Sequence, residues 1–95
     1  MHVRVVRFTD VSADRMEEVL AQIEAAGGAP PDTAVTDLQV LFDAAQGTAV
    51  VMQSFATAQD MEAGARAFSA MDASETPGTR VSVDMCEVKF ERTMS

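Results

Sequence analysis

The sequence predicts an α+β domain in the order β-α-β-β-α-β, with a four-stranded antiparallel sheet carrying both helices on one face. Three observations lead there. Residues 48–71, TAVVMQSFATAQDMEAGARAFSAM, change period midway. Val50, Val51 and Met52 in succession make a strand apolar on both faces, whereas Met61, Ala65, Phe68 and Met71 recur at helical spacing. The opening residues do the same, HVRVVRF giving way to SADRMEEVL, so the two halves echo each other. Between the halves, residues 44–47 are short enough only for a hairpin between neighbouring strands. Two split β-α-β units in tandem give the ferredoxin-like arrangement.

Taken in order, residues 2–8 form the first strand, with Val3 and Val5 on one face and Val6 and Phe8 on the other. Ser12 caps the helix that follows, and Asp14, Glu17 and Glu18 lie in its first turns, where the helix dipole favours negative charge. Met16, Val19, Leu20 and Ile23 are its apolar stripe. Gly27 and Gly28 end it in a left-handed cap, and Pro30 and Pro31 stop it resuming. The second strand is expected over residues 37–43, where Leu38, Val40 and Phe42 alternate. Thr57 caps the second helix, with Asp60 three residues on in a variant of the capping box. Residues 72–79 form a loop around Pro77-Gly78. The fourth strand is expected over residues 80–91. Its apolar phase shifts from Val81, Val83 and Met85 to Cys86, Val88 and Phe90, which predicts a bulge near Met85 and Cys86.

Ninety-five residues make one domain, 1–95, and a chain of that size buries only about 60–65% of its unfolded surface. The formal charge of −8, with seven scattered Lys and Arg, argues against nucleic acid and against an anionic membrane. Cys86 stands alone, so no intrachain disulfide is expected, and in an apolar strand it reads as a small buried hydrophobe. No apolar run reaches the length of a transmembrane helix, and strand residues begin directly after Met1, so a cytoplasmic protein is expected.

Two helices cover one sheet face and no more. Val5-Val6, Val40-Leu41-Phe42 and Val50-Val51-Met52 nevertheless place apolar side chains on both. A bare face of several hundred Å² exceeds what soluble monomers usually carry. Burying it is worth on the order of 10 kcal/mol gross, before association costs. A homodimer stacked through the open sheet face, closing a barrel across a two-fold axis, is the expected solution.

Over residues 3–91, the element order, the first strand running into SADRMEEVL and the Ser-Phe-Ala-Thr before QDMEAGARAF together resemble the dimeric α+β barrel superfamily. More narrowly, they resemble its antibiotic-biosynthesis-monooxygenase-like group. That resemblance implies a dimer and a small-molecule pocket between helices and sheet. It spans activities from cofactor-independent oxygenation to haem degradation. The better-known enzymes carry a Trp at the end of the third strand and an Asn just before it; the resemblance sets Phe55 and Val51 at those positions. The haem-degrading branch uses a His on the second helix, where this chain has Ala65. The chain contains no Trp, Tyr or Asn, so it departs from the pattern at each of these points.

His2, the sole histidine, lacks the partners of a triad or a metal site, and no metal or organic cofactor is expected. The carboxylates at Asp14, Glu17 and Glu18 read as a solvated helix face, and Gly27-Gly28 as a helix stop. The residues that stand out are polar ones within strands. Arg7 shares parity with Val3 and Val5. Gln53 shares parity with Val51 and Phe55, the face that the resemblance assigns to the pocket. Arg80 opens the fourth strand. If Arg7, Gln53 and Arg80 converge, they hold a carboxylate or carbonyl of an apolar or aromatic ligand. Otherwise Gln53 bonds across the dimer and the arginines pair with surface carboxylates. Two functions follow: a small-molecule-binding dimer, with a divergent cofactor-independent enzyme as its catalytic form, or a non-catalytic ligand-sensing or interaction domain. The sequence leaves catalysis undecided.

Overall fold

The computed structural model describes residues 1–28, 33–70 and 76–94. Its elements run β1 (His2–Thr9), α1 (Ala13–Ala25), β2 (Val35–Asp43), β3 (Thr48–Phe55), α2 (Ala58–Ser69) and β4 (Thr79–Glu87). The strands form one sheet in the order β2-β3-β1-β4, antiparallel at every pairing. This is the ferredoxin-like fold expected from the sequence. Residues 30, 31, 71 and 72, part of the expected helix stops, stripe and loop, lie outside the described residues.

The expected caps form. Ser12 Oγ accepts from the Arg15 amide at 3.0 Å, and Thr57 Oγ1 from the Asp60 amide at 3.1 Å, each satisfying one orphan donor of a helix start. Gly27 and Gly28 close α1 with φ of 80° and 107°, the Gly28 amide donating back to the Ile23 carbonyl at 2.9 Å. Positive φ of this kind is cheap only for glycine. Arg15 ties α1 to the loop before β4, donating from Nε and Nη2 to the Thr76 carbonyl at 3.1 and 2.8 Å.

Register fixes the faces. His2, Arg4, Val6 and Phe8 of β1 stand opposite Phe55, Gln53, Val51 and Ala49 of β3. These residues share the helix-covered side. Val6, Phe8, Val11, Met16 and Ala49 form the core, flanked by Val40, Phe42 and Val51. At the other end of the row, Phe55 is fully buried against Gly64 of α2, whose missing Cβ leaves room for the ring. The opposite face carries Val3, Val5 and Arg7 beside Ser54, Met52 and Val50, then Leu41 and Gln39 of β2.

Several expectations are corrected here. The second strand starts earlier, at Val35, and the fourth stops earlier, at Glu87. Past that point only the Val88 amide continues the pattern, donating to the Met1 carbonyl, and Phe90 is 80% exposed. β1 begins at His2, so residues 88–91 have almost no partner strand to pair with. The irregularity in β4 falls not at Met85 and Cys86 but between the pairs Arg7–Ser82 and Phe8–Arg80, leaving Val81 as the extra residue. All of β4 is exposed, Cys86 included, because neither helix reaches over this edge strand. Leu20, expected in the stripe of α1, is 40% exposed for want of a facing element.

Candidate functional site

A cation is buried in the helix-covered face. Arg4 is only 3% exposed and Gln53, directly opposite on β3, 4%. Arg4 Nη1 donates to Gln53 Oε1 at 2.9 Å, and the guanidinium carbon sits 5.6 Å from the centre of the Phe68 ring on α2. The Arg4 Nε–H has no partner. Burial, and secondarily the like charge of Arg80, push the Arg4 guanidinium below its ordinary pKa. Arginine cannot shed its charge at any ordinary pH, so the group stays a desolvated cation held by one neutral acceptor and a ring.

Of the residues singled out in the sequence, Val51, Gln53, Phe55 and Arg80 lie on this helix-side face, Arg80 through its pairing with Phe8. Arg7 does not. It projects from the open face beside Val50, because odd and even residues of β1 point to opposite sides. There it lines a shallow, open depression of about 260 Å³ with Leu41, Asp43 and Val50. Arg7 and Gln53 therefore do not converge on one ligand. The alternative for Gln53 is corrected as well, since its oxygen bonds to Arg4 of the same chain. Neither Arg7 nor Arg80 takes part in an ion pair among the described residues.

Sequence reasoning passed over Arg4, although its parity with Val6 and Phe8 was the available signal. A charge at a core-facing strand position is rare unless something holds it.

No protein-family model matches the chain, and no curated protein matches it. Among solved structures, a point mutant of MhuD with two manganese protoporphyrin IX molecules bound per active site aligns over 99% of this chain and 100% of that one. The TM-score is 0.64 and the identity 14%. The shared property is the fold. It is the ferredoxin-like fold of the antibiotic-biosynthesis-monooxygenase-like group that the sequence resembles.

The residues around Arg4 do not fit the iron of a metalloporphyrin. Two of them are cations, Gln53 is already engaged, and α2 offers Ala65 where the resemblance implies histidine. Among the described residues no three His, Cys, Asp or Glu side chains cluster to hold a metal ion, and no helix is long and apolar enough to cross a membrane.

Proposed function

We propose that this chain is a small-molecule-binding protein that works as a homodimer, with its ligand held at Arg4 and Gln53 under α2 and its open sheet face joined to a second copy. The observation that carries the binding reading is the Arg4 Nε–H, a buried, charged donor with nothing to donate to. Buried polar groups in folded proteins are almost always satisfied, and exceptions mark sites where a further group belongs. Arg80 and the apolar residues of the same row, Val51 and Phe55, give the mixed lining that small-molecule sites use.

Binding without catalysis is the favoured form. Arg4, Gln53, Phe55 and Phe68 include no side chain that exchanges a proton near neutral pH, so general acid–base chemistry has no agent among them. The alternative is a divergent cofactor-independent monooxygenase, in which the substrate itself supplies electrons to dioxygen and the protein only positions it.

Native mass spectrometry of freshly purified protein tests the assembly and the binding together. A dimer with a co-purified small molecule is the expected result; bare protomers would reject both halves of the proposal. An oxygen electrode separates the two forms. Uptake with supplied phenols or quinols that depends on the protein would favour the enzyme.

A further inference from the structure

We infer that the Arg4 guanidinium is the seat of an organic carboxylate, whose apolar body lies along the uncovered helix side of β4 at Val83 and Met85. The inference rests on the binding reading above and adds the chemical class of the ligand.

Charge comes first. The chain carries −8, yet the row around Arg4 is cationic. Arg80 stands on the same sheet face, and the only acid among that row's described positions, Glu87, is engaged by Lys89 at 2.7 Å. Arg4 itself makes no ion pair among the described residues. A buried cation without a counterion is costly, and an arriving anion removes that cost. The guanidinium presents its N–H groups in a planar fork that suits carboxylate oxygens. With Nη1 already on Gln53, Nε–H is the donor left to a ligand.

Shape comes second. Met85 is the β4 residue opposite Arg4, and Val83 lies opposite Val6, so both face the helix side next to the guanidinium. They are nevertheless 42% and 39% exposed, since no helix covers this edge. A flat apolar strip thus leads up to the orphaned donor. It fits a molecule with a hydrocarbon or aromatic body and one anionic end.

Titrating the intact protein with 2-naphthoate, its neutral amide and acetate, read by calorimetry, tests this. The expected order is 2-naphthoate tightest, with the amide weaker by tenfold or more for loss of the charge-assisted bond, and acetate weaker for loss of the apolar body. Arg4→Met should bring naphthoate down to the level of the amide. Arg80→Gln, at an exposed position where folding is not at stake, should weaken naphthoate several-fold and leave the amide unchanged. Equal binding of acid and amide would overturn the carboxylate inference while leaving the binding site standing. Equal binding of acetate and naphthoate would overturn the role of the β4 strip. No binding of any of the three would reject the inference and the binding reading beneath it.

Discussion

Arg4 and Gln53 face each other across the two central strands and share one hydrogen bond of 2.9 Å, with both side chains almost wholly removed from water. The pair is asymmetric. Gln53 gives Arg4 its one hydrogen-bond acceptor among the described residues, whereas an apolar residue could fill either position. Gln53→Leu is therefore predicted to destabilise the fold by about 1–3 kcal/mol, the usual cost of stranding a buried donor. Arg4→Met with Gln53→Leu removes both partners and should recover that loss or exceed it, since well-packed apolar residues often match a buried charged group. Urea unfolding of the two variants decides the matter. A single variant as stable as the parent would mean that solvent reaches Arg4 after all.

The recovery carries a second expectation. If the pair is kept for binding, the double variant gains stability and loses ligand, the trade-off usual at functional sites. Isothermal titration with 2-naphthoate beside the urea curves would show this. Retained affinity would make Arg4 a structural residue.

Phe55 and Gly64 form the tightest helix-to-sheet contact described. A Cβ placed on Gly64 would fall 2.5 Å from the Phe55 ring, which is fully buried and has nowhere to move. On helix propensity alone Gly64→Ala should stabilise α2 by up to about 1 kcal/mol. The clash should win, at a cost of about 1–3 kcal/mol. Shrinking the ring in Phe55→Leu should make the alanine tolerable, so the two substitutions are expected to be strongly non-additive in a double-mutant cycle. Simple additivity would rule out the contact.

Much of the fold was legible because local chemistry and long-range pairing agree. Ser12, Thr57 and Gly27-Gly28 act where their side chains or freedom demand, and strand parity told Val6 and Phe8 from Val3 and Val5. The candidate site was less legible, for a definite reason. Parity within one strand says which residues share a face, but not which face of β1 matches which face of β3. That depends on register, here Arg4 with Gln53, and an odd number of residues' slip reverses it. Arg7 was consequently grouped with Gln53 in place of Arg4. The end of β4 was misjudged because its apolar run, Cys86, Val88 and Phe90, outlasts the strand available to pair with it. Whether such residues are exposed or covered is a matter of partners, which a chain's own periodicity does not record.

The β2–β3 turn offers a titration test. Gln46 donates to Asp43 from its side-chain amide at 2.7 Å and from its backbone at 3.2 Å. Those bonds, the side-chain one first, hold the Asp43 carboxyl below its usual pKa. A depressed carboxyl stabilises the fold at pH above the ordinary aspartate value of about 4, and the benefit disappears as pH falls through the lowered one. Gln46→Ala should move the Asp43 midpoint upward in a carbon-detected NMR titration. Because Asp43 lies at the surface, the accompanying change in acid stability should be slight. An unmoved midpoint would mean that the turn, with Gly47 at φ 65°, supplies the shift unaided.

The open face makes the strongest demand. Val3, Val5, Val50 and Met52 lie side by side there, Leu41 beside them is 49% exposed, and Cys86, opposite Val3, is exposed in the single chain. Val5 sits mid-strand between Met52 and Asp84, so Val5→Glu puts a carboxylate next to an existing one at the centre of the proposed interface. Like charges facing each other in a desolvated interface cost several kcal/mol, enough to weaken association 100-fold or more. Sedimentation at micromolar concentration should give twice the protomer mass for the parent and a single protomer for V5E. Each protomer carries −8, so added salt should tighten the parent dimer by screening. The thiol supplies an independent reading: Cys86 should react slowly with a thiol reagent in the parent, where the partner covers it, and fast in V5E. Rapid labelling of a parent that still sediments as a dimer would place the two-fold contact on some other surface, and the sheet-to-sheet arrangement would have to be given up.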